Sequence, residues 1–156
     1  NTPDKKPQNM NYEQIKELKN SNLVTLGAHT QNHPILFNED DNISKKEIDE
    51  SINELSDILN EKTKFFVYPN GIPNIDFGQR EMDILNDNNI KLAFSTKYNN
   101  FSKSDNRFAI PRFGFSKGIA FEINVKLLLG NYFSILKNMK NGDEIKERRS
   151  LMKLLN

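Results

Sequence analysis

Residues 27–34 have the sequence GAHTQNHP and contain both histidines of this 156-residue chain, His29 and His33. They directly follow the apolar run LVTL at residues 23–26, which predicts a short buried strand. If a helical turn follows His29, side chains four residues apart point the same way, with Cβ atoms roughly 5–6 Å apart. Two imidazoles at that spacing can chelate one divalent cation, and a third ligand, usually a carboxylate, must then come from elsewhere. The alternative is that one histidine caps the following turn while the other lies on the surface.

The composition excludes several other classes of function. The formal net charge is +1, and lysine and arginine are interspersed with aspartate and glutamate rather than gathered on one stripe, so an electrostatic nucleic-acid binder is not expected. No apolar run approaches the roughly 18–20 residues of a membrane span, and without cysteine there is no disulfide framework. The length fits one domain, residues 1–156. The first residues, NTPDKKP, resemble neither a signal peptide nor an initiator methionine, so we expect a piece of a longer protein.

Hydrophobic periodicity predicts helices that alternate with short strands. The predicted elements are a helix with Tyr12, Ile15 and Leu18; a helix that starts at a Ser44–Glu47 capping box and buries Ile48, Ile52, Leu55 and Leu59; a strand at 65–68; a helix with Met82 and Leu85; a strand at 92–95; a loop at 97–107; an extended segment at 108–115; a helix at 120–139; and a tail through 148–155 that forms a last turn or frays. Such alternation predicts an α/β fold with a parallel sheet. Function is then expected where strands end, at residues 29–34, residues 68–71 and the pair Pro111-Arg112.

Four sequence boxes in this order resemble a known family. They are HTQNHP at residues 29–34, FVYPNG at 66–71, AFST at 93–96 and IPRF at 110–113. Together they resemble the polysaccharide deacetylases that share the NodB homology domain, and within these the poly-N-acetylglucosamine deacetylases of bacterial biofilms. The similarity covers about residues 11–115 and implies part of an irregular (β/α) barrel, with residues 120–156 as a carboxyl-terminal helical extension.

The resemblance also implies an activity, the metal-assisted removal of acetyl groups from N-acetylhexosamine units of a bacterial envelope or biofilm polysaccharide. The enzyme would be periplasmic, secreted or associated with the cell envelope. His29 and His33 would hold a divalent ion, most simply zinc, although two histidines suit cobalt, nickel or iron equally.

The later boxes carry the other implied site residues. Tyr68, Pro69 and Asn70 would line the substrate, and the backbone N–H of Asn70 would face the developing oxyanion; an ordinary Pro-Asn-Gly turn is the alternative. Many relatives have an arginine where this chain has Val67. The implied arginine that orients the catalytic base is then Arg112, for which a surface salt bridge is the alternative.

The chain departs from the family pattern in its acid and base. The family carries adjacent aspartates at the end of its first strand, one as the base and one as the third metal ligand. Here the adjacent pair Asp40-Asp41 follows the histidines in a polar loop, so it is not assigned that role, and no later histidine can protonate the leaving amine. We therefore expect either a carboxyl-terminal deacetylase fragment or a non-catalytic carbohydrate-binding or structural relative. The missing amino-terminal part of the parent chain, or another copy, is expected to cover the open side of the barrel.

Overall fold

The computed structural model describes residues 9–99 and 101–112, together with positions 124, 128, 132, 142, 146–148 and 150. The elements in chain order are helix α1 (Tyr12–Asn20), a 3-10 turn (Leu36–Asn38), helix α2 (Asp41–Leu59), strand β1 (Phe65–Val67), helix α3 (Gln79–Asp87) and strand β2 (Leu92–Phe94). The predicted alternation of helices and strands is confirmed over this range. The predicted helix at 120–139, the end of the 108–115 segment and most of the tail lie outside the described residues. Among the helices described, none is long and apolar enough to cross a membrane.

The strands form a parallel sheet that single bridges extend on both sides. Strand β1 pairs with β2 in parallel, with Phe66 opposite Ala93. Parallel bridges join Ala28 to Phe66 on one side and Ile110 to Phe94 on the other. The sheet therefore runs from Ala28 through β1 and β2 to Ile110, with all four segments pointing the same way. These segments do not close on themselves, so the barrel stays a prediction.

The predicted buried strand at residues 23–26 is wrong. Leu23 is 90% exposed and Val24 is 42% exposed, and the backbone from 23 to 27 has no regular structure. Pairing begins only at Ala28, whose N–H donates to the Phe65 carbonyl at 3.0 Å and whose carbonyl accepts from the Val67 N–H at 2.9 Å. The apolar pattern alone does not produce a strand, because no described segment forms backbone hydrogen bonds with residues 23–27.

Helix α2 begins earlier than the sequence predicted. Its N-cap is Asp40, whose carboxylate accepts the Ile43 N–H at 2.8 Å, so the predicted capping box of Ser44 and Glu47 is wrong. Asp40 is an equally good cap and precedes Ser44. Ser44 is instead buried inside the helix, where its hydroxyl donates to the Glu81 carboxylate at 2.9 Å. Glu47, no longer part of a cap, is available for contacts elsewhere.

A charged clamp fixes the 3-10 turn against α3. Arg80 donates to the carbonyls of Leu36 and Glu39 at 2.7 and 2.9 Å, and it pairs with the buried carboxylate of Glu81 at 2.7 Å. Glu81 also accepts from Ser44 on α2. Removing one partner of such a pair leaves a buried charge without compensation. The clamp therefore ties the segment after the histidines to two helices.

Aromatic packing forms the centre of the core beneath the sheet. Tyr68 stacks on Phe77 with ring centroids 3.5 Å apart, and Phe66 meets Tyr68 edge to face at 5.3 Å. All three side chains are fully buried. Ile48 and Ile52 bring α2 onto this cluster. Burial of a large apolar side chain contributes about 1.5–3 kcal/mol, so this cluster is the main support of the sheet.

A contact also reaches this region from near the carboxyl terminus. Arg148 pairs with the fully buried carboxylate of Asp76, and Lys146, Glu147 and Arg148 are helical. Asp76 in turn accepts the Ile72 N–H at 2.8 Å. This ion pair joins the end of the chain to the loop that follows β1.

The turn after β1 requires a glycine. Gly71 has a φ of +80°, and a Cβ there would lie 3.0 Å from the Thr96 nitrogen and 3.1 Å from the Tyr68 oxygen. We expect Gly71→Ala to lower the free energy of unfolding by about 1–3 kcal/mol, because it adds backbone strain and a clash with main-chain atoms. Urea denaturation measures the loss.

The matched control is Gly142→Ala, at a helical position where a Cβ would meet nothing within 4 Å. This variant should be as stable as the wild type or up to about 1 kcal/mol more stable. Equal stability of Gly71→Ala and the wild type would contradict the strain argument.

Candidate functional site

The structure brings His29 and His33 together. Their ring centroids lie 4.9 Å apart with the rings nearly perpendicular, at 76°, and both residues are exposed. His29 directly follows Ala28, the residue that pairs with β1. The predicted helical turn between them is absent, because Thr30 and His33 have φ angles of 62° and 57° in the left-handed region. The two imidazoles therefore meet through a tight irregular loop.

One hydrogen bond fixes the chemical form of His29. Its Nδ1 lies 2.6 Å from the Val67 carbonyl oxygen. A carbonyl can only accept, so Nδ1 carries the proton, and in the neutral ring Nε2 keeps its lone pair. Histidines that ligate metals are commonly held by such a bond from the other ring nitrogen. Val67 thus contributes its backbone carbonyl to the site.

The loop between the histidines is held from within and from α2. The Thr30 hydroxyl accepts the His33 N–H at 3.2 Å, a local bond from backbone to side chain that closes the loop. The Glu47 carboxylate accepts the N–H groups of Gln31 and Asn32 at 3.0 and 2.9 Å and the Asn32 side-chain amide at 2.6 Å. Sequence reasoning missed Glu47 because it was placed in a capping box. No local spacing signals a contact across 15 residues of chain.

These contacts decide the charge of Glu47. Partial burial pushes its pKa upward, but the hydrogen bonds from Asn32 and Gln31, with the charge of Lys46, lower the pKa below its ordinary value. A carboxyl group with a lowered pKa stabilises the fold above its unfolded pKa of about 4.3 and loses that contribution as the pH falls through the folded value. Glu47 therefore holds the loop at neutral pH and releases it only in acid.

The donors present fit part of a metal centre. Two neighbouring imidazoles, one with its Nε2 lone pair set free, suit zinc and similar divalent ions, which take three or four ligands. No cluster of three or more His, Cys, Asp or Glu side chains occurs within the described ranges. Asp40 caps α2, and Asp41 pairs with Arg80 at 2.8 Å, so both aspartates of the adjacent pair are engaged elsewhere. An ion bound here would need at least one ligand from another part of the protein.

The substrate-side residues divide into buried and exposed positions. Tyr68 is fully buried, and its hydroxyl donates to the Phe108 carbonyl at 2.9 Å, so the predicted contact of the phenol with substrate does not fit this structure. Pro69 is also buried. Asn70 is exposed with a φ of 55°, and its backbone N–H makes no hydrogen bond with any described residue. Of these three residues, only Asn70 has a backbone N–H without a described partner. The backbone around it is also that of an ordinary Pro-Asn-Gly turn, so this alternative stays open.

Arg112 emerges from the same edge of the sheet as the histidines. Ile110 pairs with Phe94 in parallel, as Ala28 pairs with Phe66, and the carboxyl ends of parallel strands meet at one edge. Arg112 is exposed, and its backbone N–H donates to the Lys97 carbonyl at 3.1 Å. Its guanidinium pairs with no carboxylate in the described part of the chain, so the alternative of a salt bridge finds no partner there.

A family model and two solved structures match this chain. The family model for polysaccharide deacetylases matches residues 5–87. No curated protein sequence matches the chain.

Two solved structures resemble the fold. The PplD deacetylase of Streptococcus pyogenes, solved with acetate, has a TM-score of 0.67 and 24% sequence identity; the match covers 76% of this chain and 50% of that one. IcaB of Ammonifex degensii has a TM-score of 0.56 and 22% identity, over 67% of this chain and 47% of that one. The chain thus spans about half the length of the structures it matches. The family model matches more than half of the sequence, and the chain therefore belongs to the polysaccharide deacetylase family.

Proposed function

We propose that this chain carries the histidine half of a metal-dependent deacetylase centre. The enzyme would hydrolyse the N-acetyl group of N-acetylhexosamine units in a bacterial envelope or biofilm polysaccharide, outside the cytoplasm. The single observation that carries the proposal is the hydrogen bond from His29 Nδ1 to the Val67 carbonyl. This bond leaves the lone pair of His29 Nε2 available to a metal ion beside His33. Family membership supports the reaction class.

His29 and His33 would hold the ion, with zinc as the first choice and cobalt, nickel or iron as substitutes. A bound divalent ion supplies a Lewis acid and lowers the pKa of water. The protein's own part is to hold the two imidazoles close together and to engage His29 Nδ1 with the Val67 carbonyl, so that Nε2 faces away from that bond. The third ligand and the general base would come from residues outside the described ranges, in the irregular barrel that the family resemblance implies.

Asn70 and Arg112, at the same edge of the sheet, are proposed to assist the reaction. The unpaired N–H of Asn70 is a donor for the oxyanion, and loss of one such donor typically costs 10²–10³-fold in rate. The unpaired guanidinium of Arg112 is available to orient a carboxylate base. Neither group makes a hydrogen bond or an ion pair with a described residue, as expected of groups that bind a substrate or a base.

A non-catalytic carbohydrate-binding role is the second candidate. It is favoured by the engagement of Asp40 and Asp41 away from the histidines, which leaves no aspartate of this pair to act as the base. The exposed histidines and Asn70 would then contact sugar without chemistry. A complete protein that releases acetate from N-acetylglucosamine oligomers would decide for the enzyme.

We also propose that a strand from elsewhere pairs with residues 23–27. The N–H groups of Val24 and Leu26 make no hydrogen bond with described residues, and Leu23 is 90% exposed. An unpaired apolar edge of this kind is a template for pairing with another chain. In the complete protein the partner would be another part of the same polypeptide, and in the isolated chain it would be a second copy.

Metal binding is the first test. We expect the chain to bind Co²⁺ or Zn²⁺, and we expect His29→Ala and His33→Ala each to weaken binding at least about tenfold, since each removes one of two nitrogen donors. Isothermal titration calorimetry measures the affinity. Lys16→Ala, an exposed change on α1, is the control and should bind as the wild type does. Unchanged affinity in both histidine variants would refute the proposed centre.

Activity of the isolated chain is the second test. We expect acetate release from N-acetylglucosamine oligomers to be at or near background, because general-base catalysis typically contributes 10²–10⁴-fold and both Asp40 and Asp41 are engaged away from the histidines. An acetate assay on the purified 156-residue chain measures this. Strong release that His29→Ala abolishes would show that the base lies within this sequence.

The oligomeric state tests the open edge. We expect the isolated chain to self-associate in size-exclusion chromatography with light scattering, and Leu23→Lys to weaken the association because an edge lysine opposes pairing. Phe101→Lys, at an exposed apolar residue on another loop, is the control and should associate as the wild type does. A monomer of 18.1 kDa with a cooperative melt would contradict the proposed pairing.

A further inference from the structure

We propose that Glu47 is the positioning residue for the histidine pair, and that its carboxylate sets the separation of the two imidazoles by holding the backbone between them. The consequence for metal binding rests on the proposed function. The hold on the loop is a structural claim that can be tested without metal.

The geometry of Glu47 is that of a clamp. One carboxylate oxygen accepts two successive N–H groups, from Gln31 at 3.0 Å and from Asn32 at 2.9 Å. The other oxygen accepts the Asn32 side-chain amide at 2.6 Å. Both oxygens are therefore used, and all three bonds fall on the two residues that precede His33. Hydrogen bonds to a charged acceptor are about twice as strong as neutral ones.

The loop needs such an external clamp. Thr30 and His33 both hold left-handed backbone conformations, with φ angles of 62° and 57°. For residues other than glycine such conformations are strained and persist only when the surroundings enforce them. Within the loop the one bond that helps is the 3.2 Å contact from the His33 N–H to Thr30. Without Glu47 the loop would relax toward ordinary conformations and the imidazoles would separate.

Glu47 can act as a clamp because its own backbone is fixed. It lies in the second turn of α2, next to the fully buried Ile48. Ser44, one helical turn earlier, is bound to Glu81 on α3. The position of the carboxylate is therefore set by the core, and the bonds to Gln31 and Asn32 transmit that position to the loop.

Glu54 provides a matched comparison on the same helix. It lies two turns further along α2 and accepts the side-chain amide of Gln31 at 2.7 Å. It is exposed and makes no bond to the loop backbone. Both glutamates thus accept hydrogen bonds from the loop through their carboxylates. Only Glu47 binds the loop backbone, whereas Glu54 binds a side chain.

The experiment compares Glu47→Gln with Glu54→Gln. Glutamine keeps the size of glutamate but removes the charge and one of the two acceptor oxygens. We expect Glu47→Gln to weaken Co²⁺ binding about 10–100-fold, the usual effect of removing a group that orients a ligand, and to alter the visible absorption of bound Co²⁺. Glu54→Gln should stay within about twofold of the wild type with the same spectrum.

Amide hydrogen exchange gives a readout that does not require metal. We expect exchange at Gln31 and Asn32 to be faster in Glu47→Gln than in the wild type, with no change at Phe66 in the sheet. Asn32→Asp is the second variant, because it sets a carboxylate against Glu47 and leaves α2 untouched. It should release the loop in the same way, so the test does not depend on the folding of one mutant.

The outcomes separate this inference from the proposed function. If Glu47→Gln keeps the Co²⁺ affinity, the spectrum and the exchange rates of the wild type, the inference is overturned. If the wild type binds no Co²⁺, the proposed metal centre fails, and the exchange rates of Gln31 and Asn32 then decide alone whether Glu47 holds the loop. If the amides of residues 31 and 32 exchange as slowly in both Glu47→Gln and Asn32→Asp as in the wild type, the inference that Glu47 holds the loop is overturned even without metal binding.

Discussion

The pairing of Ala28 with β1 is the contact on which the candidate site depends. Two backbone hydrogen bonds, to Phe65 and from Val67, set this one residue in register with the sheet. The next residue, His29, then lies beside β1, and its side-chain Nδ1 hydrogen-bonds to the Val67 carbonyl. Gly27 allows the close approach, since a Cβ there would come within 3.0 Å of the Phe65 oxygen. The chemical form of His29 is in this way a consequence of strand register.

The candidate site consists of exposed loop residues that are supported by a buried core. Beneath the sheet, burial raises the pKa of the Tyr68 phenol, which stays neutral and donates to the Phe108 carbonyl. Above it, His29, Asn70 and Arg112 are exposed and are carried by loops. This division is common in proteins, where a scaffold of packed elements positions functional residues on loops. The contribution of Tyr68 is therefore to support the edge from which Asn70 emerges.

Much of the fold could be predicted from the sequence, because local patterns determine it. α1, β1, α3 and β2 follow from short apolar runs and from helical spacing. Residues 23–26 have the same kind of pattern and still form no strand, because pairing depends on a neighbour that the local sequence does not specify. The start of α2 was misplaced because two cap signals compete, and Asp40 forms the N-cap.

The sequence names candidate site residues, and the geometry in which the structure places them goes beyond what their spacing predicts. The spacing predicts that His29 and His33 approach through a helical turn, whereas the structure brings them together through left-handed residues that helical periodicity cannot predict. The burial of Tyr68 follows from its position two residues after Phe66, on the same face of an extended segment. The role of Glu47 could not be predicted from the sequence. Its carboxylate accepts backbone N–H groups, which every residue except proline has, so the contact leaves no pattern in the sequence of the loop.

The proposed metal centre would have a thermodynamic consequence, because the loop supplies only two of its ligands. An ion that takes two nitrogens from this loop and a carboxylate from a different stretch of polypeptide joins the two stretches as a crosslink. Its binding and the docking of those stretches are then linked functions, and each strengthens the other by the same factor. Withdrawal of the ion would loosen the assembly, and separation of the stretches would release the ion.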